Sequence, residues 1–202
     1  MTSVETRCAQ LDSVLRLAQQ AFHASTQRAD SALPVANKIF SALETNGDGS
    51  KPAQPATLAV CEHIAPALHG ARQGPACIAE LADAFEALTP HLEWWRRPGA
   101  GAGEFFNGHA NARLVGPRGL EQRDDVMVGA SLVAPGVSYP DHHHLPEEIY
   151  VVLTPGEWRQ QARPWHTPGP GGVVHNPSNI EHAMRAGDSP LLALWFLWLG
   201  RS

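Results

Sequence analysis

Residues Asp141 to Tyr150, DHHHLPEEIY, gather three of the chain's eleven histidines, two glutamates and one of its two tyrosines into ten positions. In extended backbone alternate side chains face one side. His142, His144, Glu148 and Tyr150 therefore converge if Leu145-Pro146 only bends the strand, while His143, Glu147 and Ile149 point the other way. Two imidazoles and a carboxylate on one face are the start of a site for a divalent transition metal. A further ligand has to come from a neighbouring strand, and His166, His175 and His182 lie downstream. His182 is favoured, because GGVVHNPSNIEH reads as a strand, a Pro-Ser-Asn turn and a new strand that swings this histidine back beside the first group. A lone histidine is usually an ordinary surface or core residue; the joint spacing carries the metal reading.

The elements that must position these groups change period along the chain. Up to about residue 90 the pattern is helical. In VETRCAQLDSVLRLAQQAFHA, Val4, Cys8, Leu11, Leu15, Leu17 and Phe22 recur at three-to-four spacing, and VANKIFSALET, TLAVCEHIAPALHGA and PACIAELADAFEAL continue the pattern to Thr89-Pro90. The intervening NGDGSKPAQPAT reads as a turn and linker; its NGDG start lacks the remaining ligands of a calcium loop. Beyond residue 90, short β-rich runs separated by Gly, Pro, Asn and Asp predict a closed all-β sandwich or barrel. These runs are EWW, ARLVG, VMVGASLVAP, EEIYVVL, EWRQQ, GVVHN, EHAMRA and LLALWFLWL. The expected architecture is mainly β with α: a helical cap over residues 1–90 leaning on a β-barrel over 91–202.

Composition narrows the function. The chain has 202 residues, 43% of them hydrophobic, and a net charge of −5, with no Lys/Arg run beyond Arg96-Arg97. That balance argues against a nucleic-acid partner. Cys8, Cys61 and Cys77 form no CxxC pair, which predicts neither a disulfide framework nor a thiolate zinc site; they read as helix packing residues in a reducing compartment. Met1 to Arg7 does not resemble a secretion signal. Leu191 to Gly200 is about half the length needed to cross a bilayer. A cytoplasmic protein without a membrane partner, monomeric or homodimeric, is expected.

Gly136-(x5)-His142-x-His144-(x3)-Glu148 with Gly156 resembles the first motif of the cupin superfamily. Gly171-(x5)-Pro177-x-Asn179-(x2)-His182 is similar to the second, with asparagine in place of its usual glycine, and Gly156 comes one residue late. A helical N-terminal part before one C-terminal cupin, with tyrosines at 139 and 150, resembles more narrowly the cupin-type dimethylsulfoniopropionate lyases. The resemblance implies a cupin barrel, a double-stranded β-helix of jelly-roll type. It also implies that His144, Glu148 and His182 bind the metal, with His142 in the site, and that Tyr139 and Tyr150 act on substrate.

The implied reaction is a β-elimination of dimethylsulfoniopropionate to dimethyl sulfide and acrylate. Its difficulty is a weakly acidic C–H beside an anionic carboxylate, which a divalent metal (Fe2+, Zn2+ or Mn2+) eases by binding that carboxylate. Tyr150, on the metal-facing side, is the leading base, since a nearby cation lowers a phenol's pKa from about 10. Tyr139 is the alternate base or orients the substrate. The sulfonium end calls for an aromatic pocket; Trp195 and Trp198 differ in parity, so one of them faces the barrel interior, and Phe105 and Phe106 are weaker candidates. Glu147 and Glu181 are candidates to hydrogen-bond ligand histidines. The alternatives are an oxygenase or isomerase of the same layout acting on another small carboxylate, and a non-catalytic ligand-binding cupin.

Overall fold

A computed structural model describes residues 7–26, 29–47, 54–97 and 103–200. Val4 and the 48–53 portion of the expected linker lie outside these residues. Four of the helices precede the strands: α1 (Ala9–Ala24), α2 (Leu33–Leu43), α3 (Ile64–Ala71) and α4 (Ala76–Leu88). Proline sets several of their starts. Pro34 lies in the first turn of α2 and Pro75 caps α4, positions where the missing N–H costs nothing. The run TLAVCEHIAPALHGA is a 3-10 turn over Ala59–His63 followed by α3.

The strands are β1 (Trp94–Trp95), β2 (His109–Val115), β3 (Val126–Val133), β4 (Ser138–His142), β5 (Glu147–Val152), β6 (Glu157–Gln160), β7 (Val173–Asn176), β8 (His182–Arg185) and β9 (Leu191–Trp198). A short helix, α5 (Glu104–Gly108), precedes β2 and has no counterpart in the strand-like pattern read from the sequence. A six-stranded sheet in the order β1-β2-β3-β9-β5-β7 faces a three-stranded sheet in the order β4-β8-β6. Every strand pairing within them is antiparallel. This is the cupin barrel that the motifs imply, with the helices laid against one side.

Alternation along the central strands sorts the two cores. On β5 and β9, Ile149, Val151, Leu192, Leu194 and Phe196 join Leu11, Phe22, Ile39, Phe40 and Phe85 in the helix-side core. The Phe40 and Phe196 rings meet edge-on at 5.5 Å. The opposite residues, Tyr150, Val152, Ala193, Trp195 and Leu197, line the barrel interior with Tyr139, Trp158 and Met184. Helices and large sheet thus share one continuous hydrophobic core.

The stretch DHHHLPEEIY does not remain one strand. β4 ends at His142 in the three-stranded sheet, residues 143–146 cross the sandwich, and β5 starts at Glu147 in the six-stranded sheet. The proline bend is thus a sheet-to-sheet crossing, and the candidate donors converge from two facing sheets instead of one strand face. β4 carries a second irregularity. Its register with β8 shifts between Tyr139 (opposite Met184) and His142 (opposite His182), an extra residue on β4. Such a bulge re-aims side chains, so Tyr139 and His142 both face inward despite their opposite parity. Pro140 is tolerated there because β4 is an edge strand.

Candidate metal centre

The imidazoles of His142, His144 and His182 each offer a ring nitrogen, and these lie within 4.8 Å of one another. Each ring is turned by a backbone carbonyl close by in sequence. His142 Nδ1 faces the Pro140 oxygen at 2.9 Å, His144 Nδ1 the Pro146 oxygen at 2.8 Å, and His182 Nδ1 the Ile180 oxygen at 2.9 Å. A carbonyl can only accept, so every Nδ1 carries the hydrogen, and in the neutral ring Nε2 keeps its lone pair. Three Nε2 acceptors aimed at one volume repel unless a cation sits between them. Fixing the tautomer through the other ring nitrogen is the usual arrangement for metal-binding histidines. Here the partners are carbonyls rather than the carboxylates expected: Glu147 bonds His175 Nε2 at 2.7 Å, and Glu181 is exposed.

Glu148 completes the donor set. It is 3% exposed, and its Oε2 stands 3.4 Å from Nε2 of both His144 and His182. The Asn176 amide donates to the same oxygen at 2.8 Å, and Gln160 in turn donates to the Asn176 oxygen at 2.8 Å. Burial would raise the Glu148 carboxyl; positive charge on the adjoining His144 and His182 rings, the place a bound cation would take, outweighs it and holds the group well below the usual carboxylate range. Burial, and then the neighbouring His182, push His142 down to about 3. Both groups are thus in the deprotonated forms that ligate. His182 Nε2 is buried and has no hydrogen-bond partner among the described residues. Nitrogen acceptors, an ionised carboxylate and an orphaned buried Nε2 fit a divalent transition metal, and a cluster so composed can hold one.

The second motif places His182 through its turn. Asn179 adopts φ 59°, the left-handed conformation that the motif's glycine would supply, and asparagine is among the side chains that tolerate it. Its N–H donates to the His144 carbonyl at 2.9 Å, and the Ser178 hydroxyl donates to the Leu145 carbonyl at 2.6 Å. The two ligand-bearing loops are therefore pinned to each other. Of the other downstream histidines, His166 is exposed and His175 bonds Ser31 and Glu147. His143 is exposed, as its parity predicts.

Both tyrosines face the barrel interior with the ligands. Tyr139 lies against His142, ring centroids 4.6 Å apart. Burial, followed by the Glu148 charge, holds the Tyr150 phenol well above its ordinary value. Trp195 lines the same interior, whereas Trp198 packs on the helix side, away from the site. The Trp195 ring lies over Gly129, where a Cβ would come within 2.1 Å of it, so only glycine gives the indole room. Phe105 meets Tyr139 edge-on at 4.5 Å. Phe106 packs under Arg96 instead.

The sequence reading missed Asn176, Gln160, Asn111, His109 and Arg97. Asn176 directly follows the singled-out His175 and faces Glu148 across β5–β7, so a pairing argument would have found it. Nothing local marks the others: Gln160, Asn111 and His109 are placed by sheet register, and Arg97 follows His109 through its N–H.

The sequence profile of the dimethylsulfoniopropionate lyase family matches residues 31–193. The chain is 33% identical over 126 residues to the dimethylsulfoniopropionate lyase DddQ of Ruegeria pomeroyi, covering 60% of this chain and 62% of that protein. It is 29% identical over 92 residues to the putative dimethylsulfoniopropionate lyase DddL of Cereibacter sphaeroides, 46% of this chain and 39% of that protein. Each match spans less than two thirds of the relative's length. Among solved structures, a crystal structure of the DMSP lyases RdDddP and RnDddQII superposes with a TM-score of 0.68 at 25% identity, covering 96% of each chain. The crystal structure of DddQ from Ruegeria pomeroyi gives a TM-score of 0.62 at 25% identity, over 92% of this chain and 94% of that one.

Proposed function

Because the chain belongs to the dimethylsulfoniopropionate lyase family, we propose that it cleaves dimethylsulfoniopropionate to dimethyl sulfide and acrylate. The observation that carries the site's part in this is the orphaned His182 Nε2, converging with His142, His144 and Glu148. These four residues would hold one divalent metal. When bound, such an ion neutralises a substrate carboxylate and stabilises the charge that develops on the adjacent carbon.

The chain's own groups do the rest. A base takes the proton from the carbon next to the carboxylate. That C–H electron pair forms the double bond, and the C–S pair leaves with sulfur as neutral dimethyl sulfide. Tyr150 is the base in this reading, because its oxygen faces the interior beside Glu148. After burial, the Glu148 charge is what keeps the phenol protonated; compensating that charge favours the phenolate. Trp195 offers an aromatic face to the sulfonium, worth about 0.5–2 kcal/mol.

The test is headspace dimethyl sulfide over protein loaded with iron(II), manganese(II) or zinc(II) and given dimethylsulfoniopropionate. Sulfide release that needs the metal is expected. No sulfide with any of the three ions would overturn the reading, and oxygen uptake with small carboxylates would then identify an oxygenase.

A further inference from the structure

At the β1–β2 edge of the six-stranded sheet, Glu93, Trp95, Arg113 and Arg118 line a cavity of about 450 Å3. Small-molecule sites run from about 300 to 1,000 Å3. β2 stands three places from β5, the strand of Glu148, and none of the four lining residues belongs to the candidate metal centre.

Backbone contacts fix both walls. Glu93 bridges to Ala56, whose carbonyl accepts from the Trp94 N–H at 2.8 Å. Opposite, Gly116 to Gly119 form a turn, closed by the Gly119 N–H on the Gly116 carbonyl at 2.9 Å. The Gly116 N–H anchors this turn on the Glu121 carbonyl at 2.8 Å. Pro117 takes the second place of the turn and Arg118 the third, with φ 66°. Glycine or asparagine ordinarily fills that place, because a Cβ is crowded there. A long cationic side chain held in so costly a conformation points to a use for it.

The charges around the cavity do not cancel. Glu93, the one carboxylate lining it, is taken by Arg118 at 2.7 Å. Arg113 is half-buried and stands over the Trp95 ring, 5.4 Å from its centre. Its Nη1 donates to the Pro117 carbonyl at 2.5 Å, while its Nε is closed off from solvent and has no hydrogen-bond partner among the described residues. Burial, and then the Arg118 charge, lower the Arg113 pKa. An arginine stays charged all the same, so one half-buried positive charge is left without a counter-ion in contact.

We infer that this cavity is a second binding site, for a small carboxylate with a flat apolar body. The single negative charge matches the single positive charge that remains after Glu93 pairs with Arg118. The Arg113 guanidinium suits a planar carboxylate, and the Trp95 indole supplies an apolar wall. The site is separate from the metal centre and does not depend on the lyase reading.

The experiment is calorimetric titration of the full chain with benzoate, in metal-loaded wild type and in His182→Ala, where the metal centre is disabled. Both should bind it. In the His182→Ala background, Arg113→Gln should weaken benzoate by about tenfold or more, the loss of a charge-assisted contact. Glu93→Gln should act with the opposite sign and tighten it, since both guanidiniums are then free; a merely structural role for Arg113 predicts no such gain. If Arg113→Gln does not fold, the sign of the Glu93→Gln effect decides. No benzoate binding in His182→Ala, unchanged affinity in a folded Arg113→Gln, or unchanged or weaker binding in Glu93→Gln would overturn the inference. Inorganic phosphate bound as tightly as benzoate would overturn the choice of a flat carboxylate.

Discussion

Among the described residues two carboxylates are buried in polar clusters, and they are finished differently. Glu121, 5% exposed, receives Arg7 on both oxygens at 2.5 and 3.0 Å, the Gly47 N–H at 2.9 Å, and Arg123 at 3.6 Å. Arg123 is itself held by Asp125. Burial alone would raise Glu121, but Arg7 outweighs it and the carboxyl ends below its ordinary value. Every charge there has an internal partner, and the cluster ties the start of the chain to the loop before β3. Glu148 is buried as deeply, yet His182 Nε2, 3.4 Å from it, makes no hydrogen bond among the described residues. A compensated cluster holds a fold together; an uncompensated one has room for something the chain does not supply. A buried carboxylate alone therefore does not mark a site, but the deficit around it does.

The comparison breaks most readily at the metal. His182→Ala should reduce bound metal from about one ion per chain to near none, measured by elemental analysis after dialysis, and abolish turnover. Glu121→Ala should leave metal per folded chain unchanged; loss of metal there would erase the distinction. Next comes the base. Tyr150→Phe should lower kcat by roughly a hundredfold or more, the range of a general base, with metal content intact. Near-normal turnover would remove Tyr150 from the chemistry and move the role to Tyr139. Stability inverts the ranking of the two clusters. Glu121→Ala leaves the buried Arg7 with only the exposed Asp12 at 3.6 Å as counter-ion, so urea unfolding should show a loss of about 3 kcal/mol. A saturating divalent cation should stabilise wild type by about 2.7 kcal/mol at a hundred times its Kd, Glu121→Ala by the same amount, and His182→Ala by nothing.

Acid sharpens the contrast by a smaller margin. Because Glu121 is held below its ordinary value near 4.5 in the fold, its contribution is complete above the unfolded value and lost as pH falls through the lower, folded one. Urea midpoints measured from neutral pH down to about 3 should therefore decline, and less steeply in Glu121→Gln. An identical slope in wild type and variant would mean that Glu121 is not stabilised as the Arg7 contacts imply.

Much of this was legible before any coordinates, for identifiable reasons. The helical period up to Leu88 and the later change to short strands follow from which face each residue buries, and burial is written in hydrophobic spacing. His142, His144, Glu148 and His182 were readable as a candidate donor set because the residue types that could hold a metal are restricted. The route by which they meet was not. A Leu-Pro pair is compatible with a bend or with a crossing between sheets, and only the pairing of β4 with β8 and of β5 with β9 decides it. Trp195 and Trp198 could be told apart only once β9 was seen between β3 and β5, helices on one side and barrel on the other. Asn111 and Gln160 are ordinary in sequence and reach the site through register, and Arg97, just past β1, through its N–H bond to His109. The cysteines were half readable: Cys61 and Cys77 pack beside the helix-side core, but Cys8 is exposed.

The smallest predicted effect lies at Asn179, where a departure from the motif has a physical reading. The turn needs φ near +59°, and its N–H must reach the His144 carbonyl at 2.9 Å for the two ligand loops to stay joined. Glycine takes that conformation freely but adds disorder to the unfolded chain, so Asn179→Gly should change stability by only a few tenths of a kcal/mol, roughly the Asn-to-Gly difference in flexible positions. Alanine has neither the freedom of glycine nor the local hydrogen bonding of asparagine, so Asn179→Ala should cost about 1 kcal/mol or slightly more. Its metal affinity should fall with it, since straining the turn displaces His182 from His144. An Asn179→Ala protein with unchanged stability and unchanged metal affinity would mean that this turn is a passenger, and that His182 is placed by the β8 pairing alone.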